Sequence, residues 1–150
     1  APENLVKLMQ QNIDYLQKRI SKNIKLTFSS VVGSDSTVFV SIPLFNWVIE
    51  NVCKNAVDAM GGNGELNIEI SEDKNGFLVD ILDTGKGIPK AQIKQIFKPG
   101  ITSKKRGWGL GLSLAKRIIK EYHQGKIYVK HSEVGVGTNI RIVLPKQINS

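Results

Sequence analysis

The chain has 150 residues, 41% of them hydrophobic and 23% charged, a composition typical of one soluble domain with a sizeable core. No apolar run approaches the roughly 20 residues that cross a bilayer, and the single cysteine, Cys53, excludes an intrachain disulfide and a cysteine-cluster metal site. The formal net charge is +8, and its densest cluster is Lys104–Lys105–Arg106, which leaves nucleic acid, solubility or a compact polyanion as explanations.

The first elements predicted from the pattern are a helix, two strands and a second helix. Residues 4–22 carry apolar side chains at a period near 3.6 and predict a helix. Residues 24–30 and 37–42 predict strands that are separated by a turn. A helix then begins with Pro43 in its first turn and ends near Met60, before two glycines.

The second half of the chain predicts more strand pairs. Its elements are hairpin strands 65–71 and 77–83, a short helix 89–96, a helix 110–122, and strands 126–132 and 138–145. Strand pairs combined with long helices indicate an α+β fold, with a mostly antiparallel sheet that helices cover on one face. The regular strand–helix alternation of a parallel dinucleotide-binding sheet is missing.

The helix 45–60 carries the first chemical signal. Beside its apolar stripe, Asn51, Asn55 and Asp58 lie at i, i+4 and i+7. Asparagine is a mediocre helix former, so two on one strip need a reason. Either the amides bind neighbouring loops, or they supply oxygen to a hard cation such as Mg²⁺, which keeps phosphates and waters as further ligands.

A second signal lies at the end of the strand 77–83. Asp83 closes this strand, and Gly85 and Gly87 follow it directly. Aspartate commonly caps a tight loop. A carboxylate beside glycines can also accept a hydrogen bond from the exocyclic amine of adenine, where missing side chains leave room for a flat ring. The residues alone leave both interpretations open.

Three glycines at every second position form the third signal. Gly107, Gly109 and Gly111 follow the basic cluster and precede a helix. Glycines let backbone N–H groups approach a ligand, and a helix start adds unpaired N–H groups, so phosphate is a natural guest. The spacing matches neither a P-loop nor a dinucleotide fingerprint, and a flexible loop beside a helix start also fits.

Taken in order, these segments resemble the ATP-binding catalytic domain of sensor histidine kinases, a member of the GHKL superfamily. NVCKNAVDAM looks like its asparagine box, DTGKGIP and GWGLGLSLAK like its two glycine boxes, and IFKPGITSK like its phenylalanine box. The resemblance covers about residues 40–145 and ends in GVGTNIRIVLP. It implies the Bergerat fold, a two-layer α/β sandwich with about three helices on one face of a mixed, mostly antiparallel sheet of about five strands.

The resemblance also implies roles for single residues. Asn55 would coordinate Mg²⁺, and Asn51 would support the phosphate region of ATP. Asp83 would bind the adenine amine. The pocket around Asp83 would be lined by Gly85, Gly87 and Thr138. Asp58 stands where many members carry lysine, which puts only a lysine–phosphate contact in doubt.

A lid at about residues 97–110 is the other part of the site that the resemblance implies. Phe97 would pack at its hinge, and Lys104 or Lys105 would meet the terminal phosphates. Its phosphate end would be shaped by Gly107, Gly109 and Gly111. The basic cluster would then belong to an ATP lid and not to a nucleic-acid patch.

One position separates kinases from hydrolases in this superfamily. Hydrolytic relatives carry a glutamate as general base four residues before the magnesium asparagine. Here that position is Asn51, which cannot act as a base, and Glu50 lies about 100° round the helix, toward solvent. This favours a histidine kinase, whose acceptor imidazole is already nucleophilic and lies on another domain.

The receiving histidine is expected outside this chain. His123 follows a predicted helix end, where a charged cap is the simplest role, and His131 lies in a strand. Residues 1–22 would connect to a histidine-bearing dimerisation domain of the full-length protein, and 23–150 would form the ATP-binding catalytic domain. We expect a cytoplasmic location and an indirect link to a response regulator. We expect no contact with nucleic acid and no direct contact of this chain with a membrane. A membrane anchor would lie elsewhere in the full-length protein.

Two other function classes stay open from the sequence. One is a nucleotide-sensing module that binds ATP and signals through ordering of the lid, without phosphotransfer. The other is a GHKL-type ATPase. A nucleic-acid binder ranks behind both, because no aromatic-rich basic strand is present.

Overall fold

The computed structural model describes residues 1–33, 36–99 and 111–146. Their elements in chain order are β1 Pro2–Asn4, α1 Leu5–Gln17, β2 Ile24–Ser30, β3 Thr37–Phe39, α2 Ile42–Met60, β4 Gly64–Glu72, β5 Gly76–Asp83, a 3₁₀ helix Lys90–Gln95, α3 Gly111–Arg117 with a π-helical continuation Ile118–Tyr122, β6 Lys126–Glu133 and β7 Gly137–Pro145. No helix of these three ranges is long and apolar enough to cross a membrane.

Five strands form one mixed sheet in the order β2-β4-β5-β7-β6. Only β2 and β4 are parallel, while the other three neighbouring pairs are antiparallel. This confirms the predicted α+β class and the predicted mixed, mostly antiparallel sheet. Strand β3 lies outside this sheet and pairs with the short N-terminal β1, so β2 and β3 are not neighbours although they follow each other in the chain.

The three α-helices of the described residues cover one face of the sheet. Apolar side chains from both layers form a single core, in which Phe45, Ile49 and Val52 of α2 are fully buried. Helix α2 is central, because it contacts α1, α3, β4 and β5. The alternation along β4, with Ile68 buried and Glu69 exposed, gives the sheet one covered and one open face.

An ion pair on the open face fixes the register of the two central strands. Asp80 on β5 lies directly opposite Arg141 on β7. The guanidinium donates Nε to Oδ1 at 2.7 Å and Nη2 to Oδ2 at 3.0 Å. Opposite charges on directly facing residues stabilise that register. The same register places Asp83 opposite Thr138, so the two predicted pocket residues meet.

Two predicted C-terminal boundaries are wrong by three to five residues. Helix α1 ends at Gln17 instead of residue 22, and β3 ends at Phe39 instead of residue 42. The second difference has a local cause, since Ser41 is the N-cap of α2 and its side chain accepts a hydrogen bond from the Leu44 N–H. A capping serine has extended backbone dihedrals and reads as strand in a sequence pattern.

Candidate nucleotide site

Helix α2 presents the asparagine strip with increasing exposure toward its C-terminal end. Asn51 is only 8% exposed, and its Nδ2 donates to the Trp47 carbonyl at 2.9 Å. Asn55 is half-buried and Asp58 is exposed. The predicted position at the edge of the core therefore describes Asn55, whereas Asn51 lies deeper and uses its amide N–H on its own helix.

Glu50 lies on the solvent side of α2, as its helical position predicts. Its carboxylate is 3.6 Å from Lys54 Nζ, and the two side chains are 35% and 48% exposed. The pair is a surface i,i+4 interaction of small energetic weight. Glu50 is therefore turned away from the strip that bears Asn51 and Asn55.

Asp83 ends β5 in a half-buried position at one end of the sheet. Its Oδ1 accepts a hydrogen bond from the Gly85 N–H at 2.8 Å. Burial raises the pKa of Asp83, and backbone hydrogen bonds from Gly85 and Thr138 oppose that shift. The carboxyl group is thus held in one orientation by backbone donors and is partly desolvated, which strengthens any further hydrogen bond that it accepts.

Gly85 and Gly87 lie so close to other backbone segments of the protein that neither position has room for a side chain. A Cβ on Gly85 would lie 2.7 Å from the carbonyl carbon and oxygen of Ala59, and the neighbouring Lys86 N–H donates to that oxygen at 3.0 Å. Gly87 has φ 76°, and a Cβ there would overlap the Glu133 carbonyl oxygen. The loop is therefore clamped between the end of α2 and the β6–β7 turn.

Thr138 lies at the start of β7 and is 7% exposed. Its Oγ1 is 2.8 Å from Ser132 Oγ on β6. Ser132 Oγ also accepts a hydrogen bond from the Ile88 N–H at 2.9 Å. Ser132 thus joins the predicted pocket residue Thr138 to the loop that follows Asp83.

The sequence reasoning missed Ser132 because of a β-bulge. The pairing of β6 with β7 shifts between Val129 and His131. Strict period-2 alternation from Val129 would turn His131 inward and Ser132 outward, whereas one extra residue reverses the alternation. In the structure Ser132 faces Thr138 and His131 is exposed. A signal in the sequence was a serine three residues before the G-x-G-T segment that begins at Gly135.

A second hydroxyl that the sequence reasoning passed over is Thr84. Its Oγ1 accepts a hydrogen bond from the Glu65 N–H at 3.0 Å and lies 3.6 Å from Met60 Sδ. Thr84 therefore ties the loop after Asp83 to the first residues of β4 and to the last turn of α2.

Part of the predicted lid lies outside the described residues. This concerns Lys104, Lys105, Gly107 and Gly109. Gly111 is the first residue of α3. Phe97 is partly buried against the core, with Lys116 Nζ 5.7 Å from its ring centroid.

The two histidines have structural or exposed positions. His123 is 2% exposed; its Nε2 accepts a hydrogen bond from the Ser41 N–H, and its Nδ1 lies 3.1 Å from the Ile118 carbonyl. Burial lowers the pKa of His123. The interpretation of His123 as a charged helix cap was therefore wrong, since a neutral imidazole with Nδ1 protonated satisfies both bonds.

These residues assemble around α2 and one end of the sheet. Asp83, Gly85, Gly87 and Thr138 lie beside the last turn of α2, and Asn55 is one turn before Ala59, about 6 Å along the helix axis. Within the described residues no cluster of three His, Cys, Asp or Glu side chains could hold a metal by itself.

A mixed sheet, a helix with an asparagine strip and a clamped Asp-Gly loop define an ATPase-type nucleotide-binding domain. The chain belongs to the family of histidine kinase-, DNA gyrase B- and HSP90-like ATPases, whose model matches residues 42–148. Membership of this ATPase family implies that the chain binds ATP. The α+β fold and the resemblance found in the sequence are both confirmed.

Among its relatives, sporulation kinase C of Bacillus subtilis is 32% identical over 131 residues, which are 87% of this chain and 29% of that protein. The chain thus spans less than a third of this curated relative. The catalytic domain of histidine kinase ThkA superposes with a TM-score of 0.86 at 30% identity, over 97% of this chain and 95% of that domain. ThkA in complex with response regulator protein TrrA gives a TM-score of 0.82 at 28% identity, over 98% of this chain and 42% of that one.

Proposed function

We propose that this chain binds ATP with Mg²⁺ and donates the γ-phosphoryl group to a histidine on a separate dimerisation domain of the same full-length protein. The observation that carries the proposal is that α2 bears an amide, and not a carboxylate, four residues before Asn55. Asn51 occupies the position of the hydrolytic glutamate, and Glu50 faces solvent beside Lys54. An acceptor imidazole needs no such base, because its neutral nitrogen is itself nucleophilic.

The catalytic work of the domain is positioning and charge stabilisation. The Asp83 carboxylate, held by the Gly85 N–H, accepts a hydrogen bond from the exocyclic amine of adenine and fixes the base. The acceptor nitrogen forms a bond to the γ-phosphorus while the bond from that phosphorus to the bridging oxygen breaks, and ADP leaves. Phosphoryl transfer of this kind depends mainly on alignment and on neutralisation of the phosphate charge.

Asn55 fits the role of a Mg²⁺ ligand by its chemistry and position. Its half-buried amide supplies a hard oxygen one helical turn before Ala59, which contacts the loop after Asp83. Mg²⁺ accepts one or two protein oxygens and takes its other ligands from phosphates and water, which suits a site without an acidic cluster among the described residues. Bound Mg²⁺ neutralises phosphate charge, and Asn55 would hold it. In this proposal Asn51 supports the phosphate region.

The lid assignments extend the proposal to residues outside the described ranges. Lys104 or Lys105 would contact the terminal phosphates, and Gly107, Gly109 and Gly111 would shape the moving loop. Residues 1–22 would lead to the dimerisation domain. The response regulator in the ThkA complex supports a two-component system, in which such a protein takes the phosphoryl group from the histidine. We place the domain in the cytoplasm.

Phosphotransfer is tested by mixing the chain with its dimerisation domain and γ-labelled ATP. We expect label on a histidine of the dimerisation domain, in a linkage that is stable to base and lost in acid. The isolated chain should turn ATP over slowly, because Asn51 cannot activate water. The matched variant Asn55→Ala should transfer no label.

The same mixture separates the alternatives. ATP binding without transfer to the dimerisation domain would favour a nucleotide-sensing module. Rapid turnover by the isolated chain would favour a GHKL-type ATPase and would contradict the role given to Asn51.

A further inference from the structure

The hydroxyl of Ser132 lies at the junction of three segments of the candidate nucleotide site. It accepts a hydrogen bond from the Ile88 N–H at 2.9 Å, lies 2.8 Å from Thr138 Oγ1 and lies 3.3 Å from the Gly137 carbonyl oxygen. Ser132 is half-buried. Ser132 therefore joins β6 to the loop after Asp83 and to the start of β7, where Thr138 lies.

The loop after Asp83 and the β6–β7 turn meet along a short seam. The Gly135 N–H donates to the Lys86 carbonyl at 2.8 Å. Gly87 lies so close to Glu133 that a Cβ would overlap its carbonyl oxygen. The bond from the Ile88 N–H to Ser132 Oγ involves a side chain, whereas the Gly135–Lys86 bond joins backbone atoms that substitutions leave in place.

Thr138 connects this seam to the carboxylate that would recognise the base. It lies opposite Asp83 in the register of β5 and β7. Its backbone N–H donates to the Asp83 carboxyl group and lowers the pKa of that group against the effect of burial. The side chain of Thr138 meets Ser132. Ser132 is thus linked to Asp83 through Thr138.

A serine hydroxyl has one hydrogen and two lone pairs. One lone pair of Ser132 accepts from Ile88, and its hydrogen can go either to Thr138 Oγ1 or to the Gly137 oxygen. When Ser132 donates to Thr138, the Thr138 hydrogen is released for a ligand, and Thr138 acts as a donor beside the acceptor Asp83. When Thr138 donates to Ser132, that hydrogen is used within the protein.

We propose that Ser132 is a positioning residue for base recognition: it orients the Thr138 hydroxyl and the loop at Ile88 so that the pocket presents a donor next to the Asp83 acceptor. This inference rests on the proposed nucleotide binding. An adenine edge offers an amine donor next to a ring-nitrogen acceptor and matches that pair. A 6-oxopurine offers a carbonyl oxygen and a ring N–H in those places, so its edge is mismatched.

The test is a double-mutant cycle on Ser132 and Thr138, with calorimetric affinities of the 150-residue chain for ADP and for IDP, the 6-oxopurine counterpart. Ser132→Ala should weaken ADP binding by roughly threefold to tenfold, the effect of one hydrogen bond, and IDP binding less. Thr138→Val should do the same. The double variant should lose less than the product of the two single losses, because both act through one contact.

Controls separate positioning from general damage. Ser132→Thr keeps the hydroxyl and should restore the ratio of ADP to IDP affinity. Ser29→Ala, exposed on β2, should leave both affinities unchanged. If Ser132→Ala does not fold, Ser132→Cys replaces it, since a thiol is similar in size and a weak hydrogen-bonding group.

The outcomes distinguish this inference from the proposed function. Additive losses in the cycle, or an unchanged ADP to IDP ratio in every Ser132 variant, would overturn the role of Ser132 while nucleotide binding stands. A wild-type chain that binds no ADP would overturn the proposed function, and this inference with it.

Discussion

At the scale of single residues, Asp83 shows how the fold tunes one carboxyl group. Burial raises its pKa, while two backbone N–H groups, from Gly85 and Thr138, hold it in place. A carboxylate with fixed orientation and little water has few ways to reorganise when a ligand arrives. It therefore suits recognition of one hydrogen-bond donor on a flat ligand.

Replacing this carboxylate tests the adenine pocket. Asp83→Ala should reduce ADP affinity by at least tenfold, since a hydrogen bond to a charged group is worth about 1.5–3 kcal/mol. Wild-type affinity should also fall as the pH is lowered through the raised pKa of Asp83, because the protonated group loses its charge. Calorimetry at several pH values measures both effects. Asp14→Ala, exposed on α1, is the control, and unchanged affinity in Asp83→Ala would contradict the pocket assignment.

At the scale of elements, His123 connects the start of α2 to the end of the π-helical continuation of α3. Its Nε2 receives the N–H of Ser41, the N-cap of α2, and its Nδ1 lies 3.1 Å from the Ile118 carbonyl. The imidazole packs edge-on against Phe45. A proton on Nε2 would face the Ser41 N–H and remove an acceptor, so this junction holds only a neutral ring.

This junction predicts how stability depends on pH. In the folded chain the pKa of His123 is lowered from 6.5, mainly because the imidazole is buried. From about pH 6.5 downward, the unfolded chain binds a proton that the folded chain does not, so the free energy of unfolding falls as pH falls, by at most about 1.4 kcal/mol per pH unit. Denaturant titrations should show a smaller decline for His123→Gln.

His131→Gln is the matched control, because His131 is exposed on β6. It should keep the wild-type slope of stability against pH. Equal slopes in all three proteins would mean that the His123 junction does not exclude the proton.

At the scale of the whole molecule, one core joins the sheet to its helices. Cys53 of α2 is fully buried in that core, and burial, with a smaller contribution from Glu50, raises its pKa to about 12. Thiolate is the reactive form of cysteine. Cys53 therefore reports opening of the molecule and not chemistry at the site.

Thiol labelling of Cys53 should measure that opening. We expect very slow labelling in buffer, fast labelling in denaturant, and a further slowing of roughly a hundredfold with ADP at a hundred times its Kd, by mass action on the folded state. Absorbance of the released reagent follows the reaction. Rapid labelling that ADP does not affect would instead mean that Cys53 becomes accessible through a local opening that nucleotide binding does not oppose.

On the open face of the sheet, the alternation of side chains along each strand agrees with the pairing between strands. Asp80 and Arg141 stand at outward positions in strands whose alternation the sequence already displays, and the structure joins them in direct register. The hairpin strands β4 and β5 were predicted to within about two residues at each end, because alternation and an Asn-Gly turn are both local signals.

The sequence alone determined the family, the helix that bears Asn51 and Asn55, and the loop that begins at Asp83, because these are contiguous segments with their own periodicity and turn chemistry. The tertiary structure decided which segments meet. In the fold, β3 pairs with β1. Gly85 and Gly87 lie against the backbone of Ala59 and Glu133, where a Cβ would not fit. A β-bulge turns Ser132 inward. Such contacts depend on register and on atoms distant in the chain, and a one-dimensional pattern contains neither.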